Sequence, residues 1–447
     1  QAAFNAQDFS PDGQWLYFQY ALTPSPVMEG MQPDDPWWRV SRDARRVEQV
    51  SREAALEIPA QMRHTRNAQR AVWFNRGTLS YWKRGSSTRA LLQRVEPINP
   101  QWTPDERAVR WIESNNLWEL DPETGSLRQL TRALQVRDST RTDRQRAELL
   151  RQQLDIFEFS QANKAARDSM YRRQMTDRWP QPITVPYKEG ETISFLQVPA
   201  GGKYATFLIT PRVQSTQTTF SDYVNDSGIV VQRTSRPKVG APVPVRRAMI
   251  VTYDPKATPD SVKATAVESD TAKFGGKRVT ATSALWNDQG TRFVVEFQSL
   301  DHKDRWFVLV NPADGKHERV LHHIHDEAWF GGAGQAQGWL NASWAEFLPD
   351  GETLAITSEE TGWAHLYLVK MDGTKQALTS GEWEIRNLTR SNDGNSWWIM
   401  AGVEHPNELH LYELPLRGGQ LTRINPPGEG EAQPTPSPDG TMLAYRW

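Results

Sequence analysis

Apolar and polar positions along this chain alternate in short bursts of five to seven residues, and each burst is opened by a tight turn. "DFSPDGQWLYFQYA" (8–21) is the first and "SPDGTMLAYRW" (437–447) the last. Between them come "TRNAQRAVWF" (65–74), "TPDERAVRWI" (103–112), "VPAGGKYATFLIT" (198–210), "NDQGTRFVVEF" (287–297), "LPDGETLAITS" (348–358) and "SNDGNSWWIM" (391–400). A period of two in residues of strand-favouring type, with Pro, Asn, Asp and Gly in the turn, predicts one antiparallel hairpin per copy. A second hairpin follows most copies, as in "WWRVSRDARRVEQVS", "NLWELDPETGSLRQLT", "HLYLVKMDGTKQALT" and "HLYELPLRGGQLTRI". The chain therefore reads as eight inner hairpins and seven outer ones.

Inner plus outer hairpin makes a four-stranded antiparallel unit. The turn residues fall near 13, 69, 106, 201, 290, 351, 394 and 440, close to the roughly 40 to 50 residues of a repeated sheet module except at two wide gaps. Such tandem modules, arrayed radially so that only short edges remain, predict an all-β fold, a β-propeller of eight blades whose last blade is incomplete. The first wide gap carries another period. Ala147, Leu150, Leu154 and Phe157 share one helical face and Thr142 with Gln145 fits a capping box, so residues 140–176 are expected to form a helical insertion. The second, 201 to 290, contains "QSTQTTFSDYVNDSG" and "RTSRPKVGAPVPVRR", which lack an apolar period and are expected as surface loops.

Charge and composition narrow the function. The 52 basic and 54 acidic residues leave a net charge of -2, without the basic excess that nucleic acid or an anionic membrane would require. There is no cysteine, so disulfides, thiolate zinc sites and thiol catalysis are excluded. No apolar run reaches the roughly 18 to 20 residues of a membrane span. The first residue is Gln1 rather than methionine, which reads as a processed or artificially set end. Nineteen tryptophans suit short strands with aromatic cross-strand packing.

Catalytic motifs are missing from the sequence. No serine stands in a Gly-x-Ser-x-Gly elbow, no phosphate-binding glycine loop occurs, and there is no His-Glu-x-x-His. No catalytic residue and no cofactor are assigned. His323, His325 and Asp326 could be imagined around a metal, but polar positions on a solvated strand are the ordinary reading of that spacing, and no metal is assigned. Glu359 with Glu360 and Asp34 with Asp35 read as solvated loop pairs. Glu148, Asp155 and Glu158 on the inserted helix stand out more, because a carboxylate facing a cavity can hold a ligand ammonium by a charge-assisted hydrogen bond. Helical acids among many arginines are more often surface partners.

The segment "TSEETGWAHLYLVKMDGTKQALTSGEWEI" (357–385), together with "QWTPDERAVRWIESNNLWELDPETGSLRQLT" (101–131), resembles the propeller of dipeptidyl peptidase IV-like enzymes in the prolyl oligopeptidase family of serine peptidases. The resemblance covers nearly the whole chain as blade architecture. It implies that a C-terminal α/β-hydrolase domain with a Ser, Asp and His triad would follow, and that this chain is the non-catalytic propeller, residues 1–447, without it. It further implies peptide substrates, gated and positioned by the propeller, a periplasmic or secreted setting, and a homodimer as the further partner to test. The family's exopeptidases carry an adjacent Glu-Glu pair on a short helix after the blade that corresponds to 101–131. Here that interval holds the long insertion and no adjacent pair, which leaves Glu158 and Glu148 as the implied ligands of the substrate amine. Arg76, in the short loop "FNRGTLSY", is the implied counterpart of the family's substrate-orienting arginine. Dipeptidyl, tripeptidyl, acylaminoacyl and endopeptidase specificities all remain open. The competing reading is a free-standing propeller that scaffolds protein partners or binds a small ligand.

Overall fold

The computed structural model describes residues 4–20, 36–58, 62–94, 96–136, 160–170, 181–214, 217–225, 228–238, 240–257, 259–328, 344–425 and 433–446. The fold is all-β with few helices, of the β-propeller type. Seven four-stranded antiparallel sheets span residues 4–50, 63–93, 101–129, 191–266, 279–325, 345–377 and 385–423. In each, the strands pair in chain order. The eighth inner hairpin is a two-stranded sheet, Gln433–Pro436 against Leu443–Arg446. Complete blades therefore number seven among the described residues, one fewer than the expected eight, because the last hairpin pairs with no outer strands.

The turn that opens each module owes its shape to local chemistry. In Ser391-Asn392-Asp393-Gly394, the Gly394 N–H donates to the Ser391 carbonyl at 2.9 Å, Ser391 Oγ donates to Asp393 Oδ1 at 2.6 Å and accepts the Ser396 N–H at 3.0 Å. The fourth position takes a left-handed φ of 76° at Gly394, which glycine adopts without a Cβ clash. Ser10 and Ser437 repeat the pattern, and so does Thr103. Ala68 and Glu106 hold the same left-handed position without glycine, at φ 51° and 55°. The turn centre in that second copy is thus Ala68, one residue before the position read from sequence.

The described chain divides into two compact units, Gln1–Leu130 with Trp286–Arg292 and Leu321–Trp447, and Thr131–Leu285 with Phe293–Val320. In the first unit, Trp397, Ile399, Leu366, Ala355 and Tyr412 belong to one buried cluster that joins the sixth and seventh sheets. The second strand of the sixth sheet, Thr353–Ser358, is buried at every position, as expected of a middle strand covered on both faces. Neighbouring turns also interlock through side chains. Asn392 Nδ2 donates to the carbonyls of Ser437 and Pro438, both at 3.1 Å, and Arg42 pairs with Asp439 at 2.9 Å. The first sheet is thereby tied to the final hairpin.

In the second unit, Phe274 from the connection between the fourth and fifth sheets is buried against Phe297 and Trp306, with ring centroids 5.0 Å from each. Two features depart from expectation. Residues read as polar loops form a hairpin, Gln217–Asp222 with Val231–Pro237, whose alternation escaped notice because both of its faces are exposed. Thr131–Val136 pairs in parallel with Ile183–Lys188, so the insertion leaves and returns along adjacent strands. Within it residues 160–170 are helical and almost wholly exposed.

Candidate functional site

Arg76 sits in the two-residue turn of the hairpin Arg70–Asn75 and Thr78–Lys83. Its φ is 47° and that of Gly77 is 77°, the pair of left-handed residues that a tight hairpin turn requires. Only glycine suits position 77, since a Cβ there would meet the Arg94 carbonyl oxygen at 2.8 Å. The Arg94 N–H donates to Gly77 O at 2.7 Å and stiffens the turn. Arg76 is exposed. Its charge reaches Glu53, whose carboxyl is held below the usual range first by its own backbone N–H and then by Ser51, with Arg76 adding to both. Glu148 and Glu158 lie outside the described residues, so the described residues bring no carboxylate of the expected amine site to Arg76.

The family-like segment 357–385 turns out to be a structural corner. His365, 1% exposed, donates from Nε2 to the Gly381 carbonyl at 3.0 Å. A carbonyl only accepts, so Nδ1 is the unprotonated nitrogen and accepts from Thr379 Oγ at 3.1 Å, while the Leu366 N–H donates to that same oxygen at 3.0 Å. The edge of Trp383 closes on the imidazole with ring centroids 4.9 Å apart and planes at 90°. Burial holds the imidazole below its ordinary value, with the bond to Gly381 and the field of Glu384 opposing. The seventh sheet repeats the device. The Leu411 N–H donates to Asn425 Oδ1 at 2.9 Å and Asn425 Nδ2 reaches His410 Nδ1 at 3.0 Å. The shared "HLY" at 365–367 and 410–412 was the sequence signal for it.

Glu359 and Glu360 do not form a free acidic pair. Glu360 pairs with Lys375 and lies 3.9 Å from His322 Nε2, which in turn is 3.0 Å from Ser358 Oγ. That serine and histidine are both buried. His323 and His325 are exposed, and His325 lies 3.3 Å from Glu327. Among the described residues no three potential ligands gather into a metal site.

Charged side chains on the inner hairpins of the first unit, in their turns and on their first strands, escaped the sequence reading. Arg66 lies 3.5 Å from Asp288 and 3.9 Å from Glu106, and Arg390 is 2.8 Å from Glu346. Burial raises the Glu346 carboxyl, opposed by Arg390. Such a row of alternating charge can meet main-chain donors and acceptors of an extended ligand.

Residues 203–447 match the sequence family described as the dipeptidyl peptidase IV (DPP IV) N-terminal region. The chain belongs to this family. The DPP IV N-terminal match runs from the second strand of the fourth sheet, Tyr204–Pro211, onward and includes the His365 corner. Over 95 residues, 20% of this chain and 12% of the relative, it is 32% identical to a probable dipeptidyl peptidase 4 of Aspergillus fumigatus. It is 27% identical over 122 residues to dipeptidyl peptidase 4 of Arthroderma otae, 27% of this chain and 15% of the relative. Among solved structures, dipeptidyl peptidase 4 of Porphyromonas gingivalis superposes with a TM-score of 0.51 at 14% identity, covering 99% of this chain and 56% of that one. A putative dipeptidyl aminopeptidase IV of Bacteroides ovatus gives 0.53 at 12% identity, covering 99% and 57%. At those identities the likeness is one of fold. The chain spans little more than half the length of these solved proteins, and its matched segments a smaller share of the curated relatives.

Proposed function

We propose that this chain is the propeller portion of a DPP IV-like serine peptidase, and that it gates and positions peptides for a C-terminal α/β-hydrolase domain carrying the catalytic triad. The observation that carries the reading is the DPP IV N-terminal match over residues 203–447 on a chain built of blade sheets. The lack of a Gly-x-Ser-x-Gly in the sequence agrees with a division of labour in which chemistry belongs to the other domain. Arg76, on its rigid turn, orients the peptide, and Glu158 or Glu148 receives its amine. An eighth blade is completed around the hairpin Gln433–Pro436 and Leu443–Arg446. The setting is periplasmic or secreted; no described helix is long and apolar enough to cross a membrane. A homodimer belongs to the same proposal, supported by the apolar side chains that the hairpin Gln217–Asp222 and Val231–Pro237 and its loop leave exposed, Phe220, Tyr223, Val224 and Ile229.

The test uses the 447-residue chain by itself. It is expected to leave an aminoacyl-prolyl chromogenic peptide uncleaved, yet to bind a peptide with a free amino terminus more tightly than its N-acetylated form. Arg76→Ala should weaken that binding about tenfold, the equivalent of about 1.4 kcal/mol. Turnover by the isolated chain, or equal affinity for both peptides, would overturn the proposal.

A further inference from the structure

The second unit holds a pocket of about 450 Å³ where the strand Ile183–Lys188 of the parallel pair meets the strand Arg247–Thr252 of the fourth sheet. Arg132 stands opposite Thr184 in the register of that pair, so the two side chains leave the same face of the ladder, and both residues line the pocket. Thr184 is 7% exposed, yet its hydroxyl makes no hydrogen bond among the described residues. A buried polar group without a partner is rare, and this one borders an opening. The Arg132 guanidinium likewise meets no carboxylate or carbonyl among the described residues. Asp254 is the other charged residue of the lining. Its Oδ1 accepts the Lys256 N–H at 2.8 Å and its carbonyl accepts the Ala257 N–H at 3.1 Å, so a tight turn fixes the carboxylate while Oδ2 stays unengaged. Arg132 and Asp254 thus share one pocket without pairing with each other. Tyr253, Pro182, Pro255, Pro259 and Val251 supply apolar wall.

We propose that this pocket binds a small zwitterion with an apolar body, an amino acid or a short peptide, its carboxylate on Arg132 and Thr184 and its ammonium on Asp254. A carboxylate accepts from a guanidinium and a hydroxyl together, which gives Thr184 the partner that it lacks without ligand. Charge balance decides between ligand classes. Phosphate or sulfate would bring like charge toward Asp254, and a plain amine would bring like charge toward Arg132. A zwitterion meets each group with the opposite sign. The makeup of the lining, mostly apolar with a few polar groups to fix orientation, is that of a small-ligand site, and its volume lies in the range such sites span.

Isothermal titration calorimetry of the 447-residue chain tests this with L-leucine and L-leucyl-L-leucine, each set against its N-acetyl form and its carboxamide. At least one of the two is expected to bind about tenfold or more tighter than both of its capped forms, since each cap removes one charge-assisted hydrogen bond. Which of the two binds tighter tells a free amino acid from a short peptide. Arg132→Gln should bring acid and carboxamide to equal affinity, and Asp254→Asn should do the same for the free amine and its N-acetyl form. Arg132→Lys, which keeps the charge, should lie between Arg132→Gln and the unaltered chain. Thr184→Val removes only the hydroxyl and should weaken binding about fivefold. It should leave the urea midpoint unchanged, whereas a merely structural hydroxyl would lower that midpoint on removal. Absence of binding by both zwitterions, affinity that survives both caps, inorganic phosphate bound as tightly as the zwitterion, or unaltered affinity in Arg132→Gln and Thr184→Val would overturn the proposal.

Discussion

Replacing Ser391 by alanine tests whether the turn hydroxyl, rather than the glycine or the flanking strands, holds each module's entry. Ser391 is 8% exposed. Its Oγ donates to Asp393 at 2.6 Å and accepts the Ser396 N–H at 3.0 Å, so truncation removes both bonds and leaves an amide without its acceptor. A hydrogen bond to a charged group is worth roughly 1.5 to 3 kcal/mol and a neutral one about 1. Because Asp393 is largely solvated, water replaces much of the first, and the expected loss is about 2 kcal/mol. The Ser391 hydroxyl, followed by the Asn395 N–H, holds the Asp393 carboxyl below its ordinary value. A lowered carboxyl stabilises the fold above the unfolded value of 3.8 and loses that contribution as pH falls, so the alanine variant should also show a shallower acid dependence. Urea unfolding followed by tryptophan fluorescence at pH 7, and again at about pH 2.5, below the unfolded value, measures both effects. Ser391→Thr, which keeps the hydroxyl, should stay near the unaltered midpoint. An alanine variant with an unchanged midpoint, or a threonine variant as damaged as the alanine one, would refute the reasoning.

Trp397, fully buried with its Nε1 donating to Leu416 O at 3.0 Å and set edge-on to Trp344 with centroids 5.3 Å apart, should cost about 3 to 5 kcal/mol when changed to alanine; a loss under about 1 kcal/mol in urea unfolding would contradict the core described for the sixth and seventh sheets. His365 is held neutral by burial, so its contribution is present above 6.5 and fades as pH falls through the lowered value. Amide exchange in residues 364–385 should therefore speed up between pH 6.5 and pH 4 beyond the intrinsic rate, and His365→Asn should abolish that acceleration; the same acceleration in the variant would show that another group causes it.

Much of this architecture was legible because it is local. The turn Ser437-Pro438-Asp439-Gly440 makes its decisive bonds within six residues, Ser437 Oγ to Asp439 and the Met442 N–H to Ser437 Oγ, so its outcome is written in consecutive letters. Arg76 was likewise placed correctly in a short loop. The second copy's turn was misplaced by one residue because Ala68 takes a left-handed φ without glycine, while the Arg66 N–H and Arg70 of that turn bond to Glu106 of another sheet. The hairpin at 217–237 was missed because a strand exposed on both faces has no apolar face to alternate. The corner at His365 was visible as a motif but not as a role, since Thr379 and Gly381 lie 14 and 16 residues away.

From the sequence by itself came the tandem sheet modules, their turns and the family resemblance, because turn and strand preferences act over a few bonds along the chain. Only the tertiary structure decided which distant groups meet: His64 with Pro11, Asn392 with Ser437, His322 with Ser358. Those encounters depend on how one sheet seats against the next. Burial at the His365 corner likewise holds that imidazole below its ordinary value, and the linear order of residues carries no record of it.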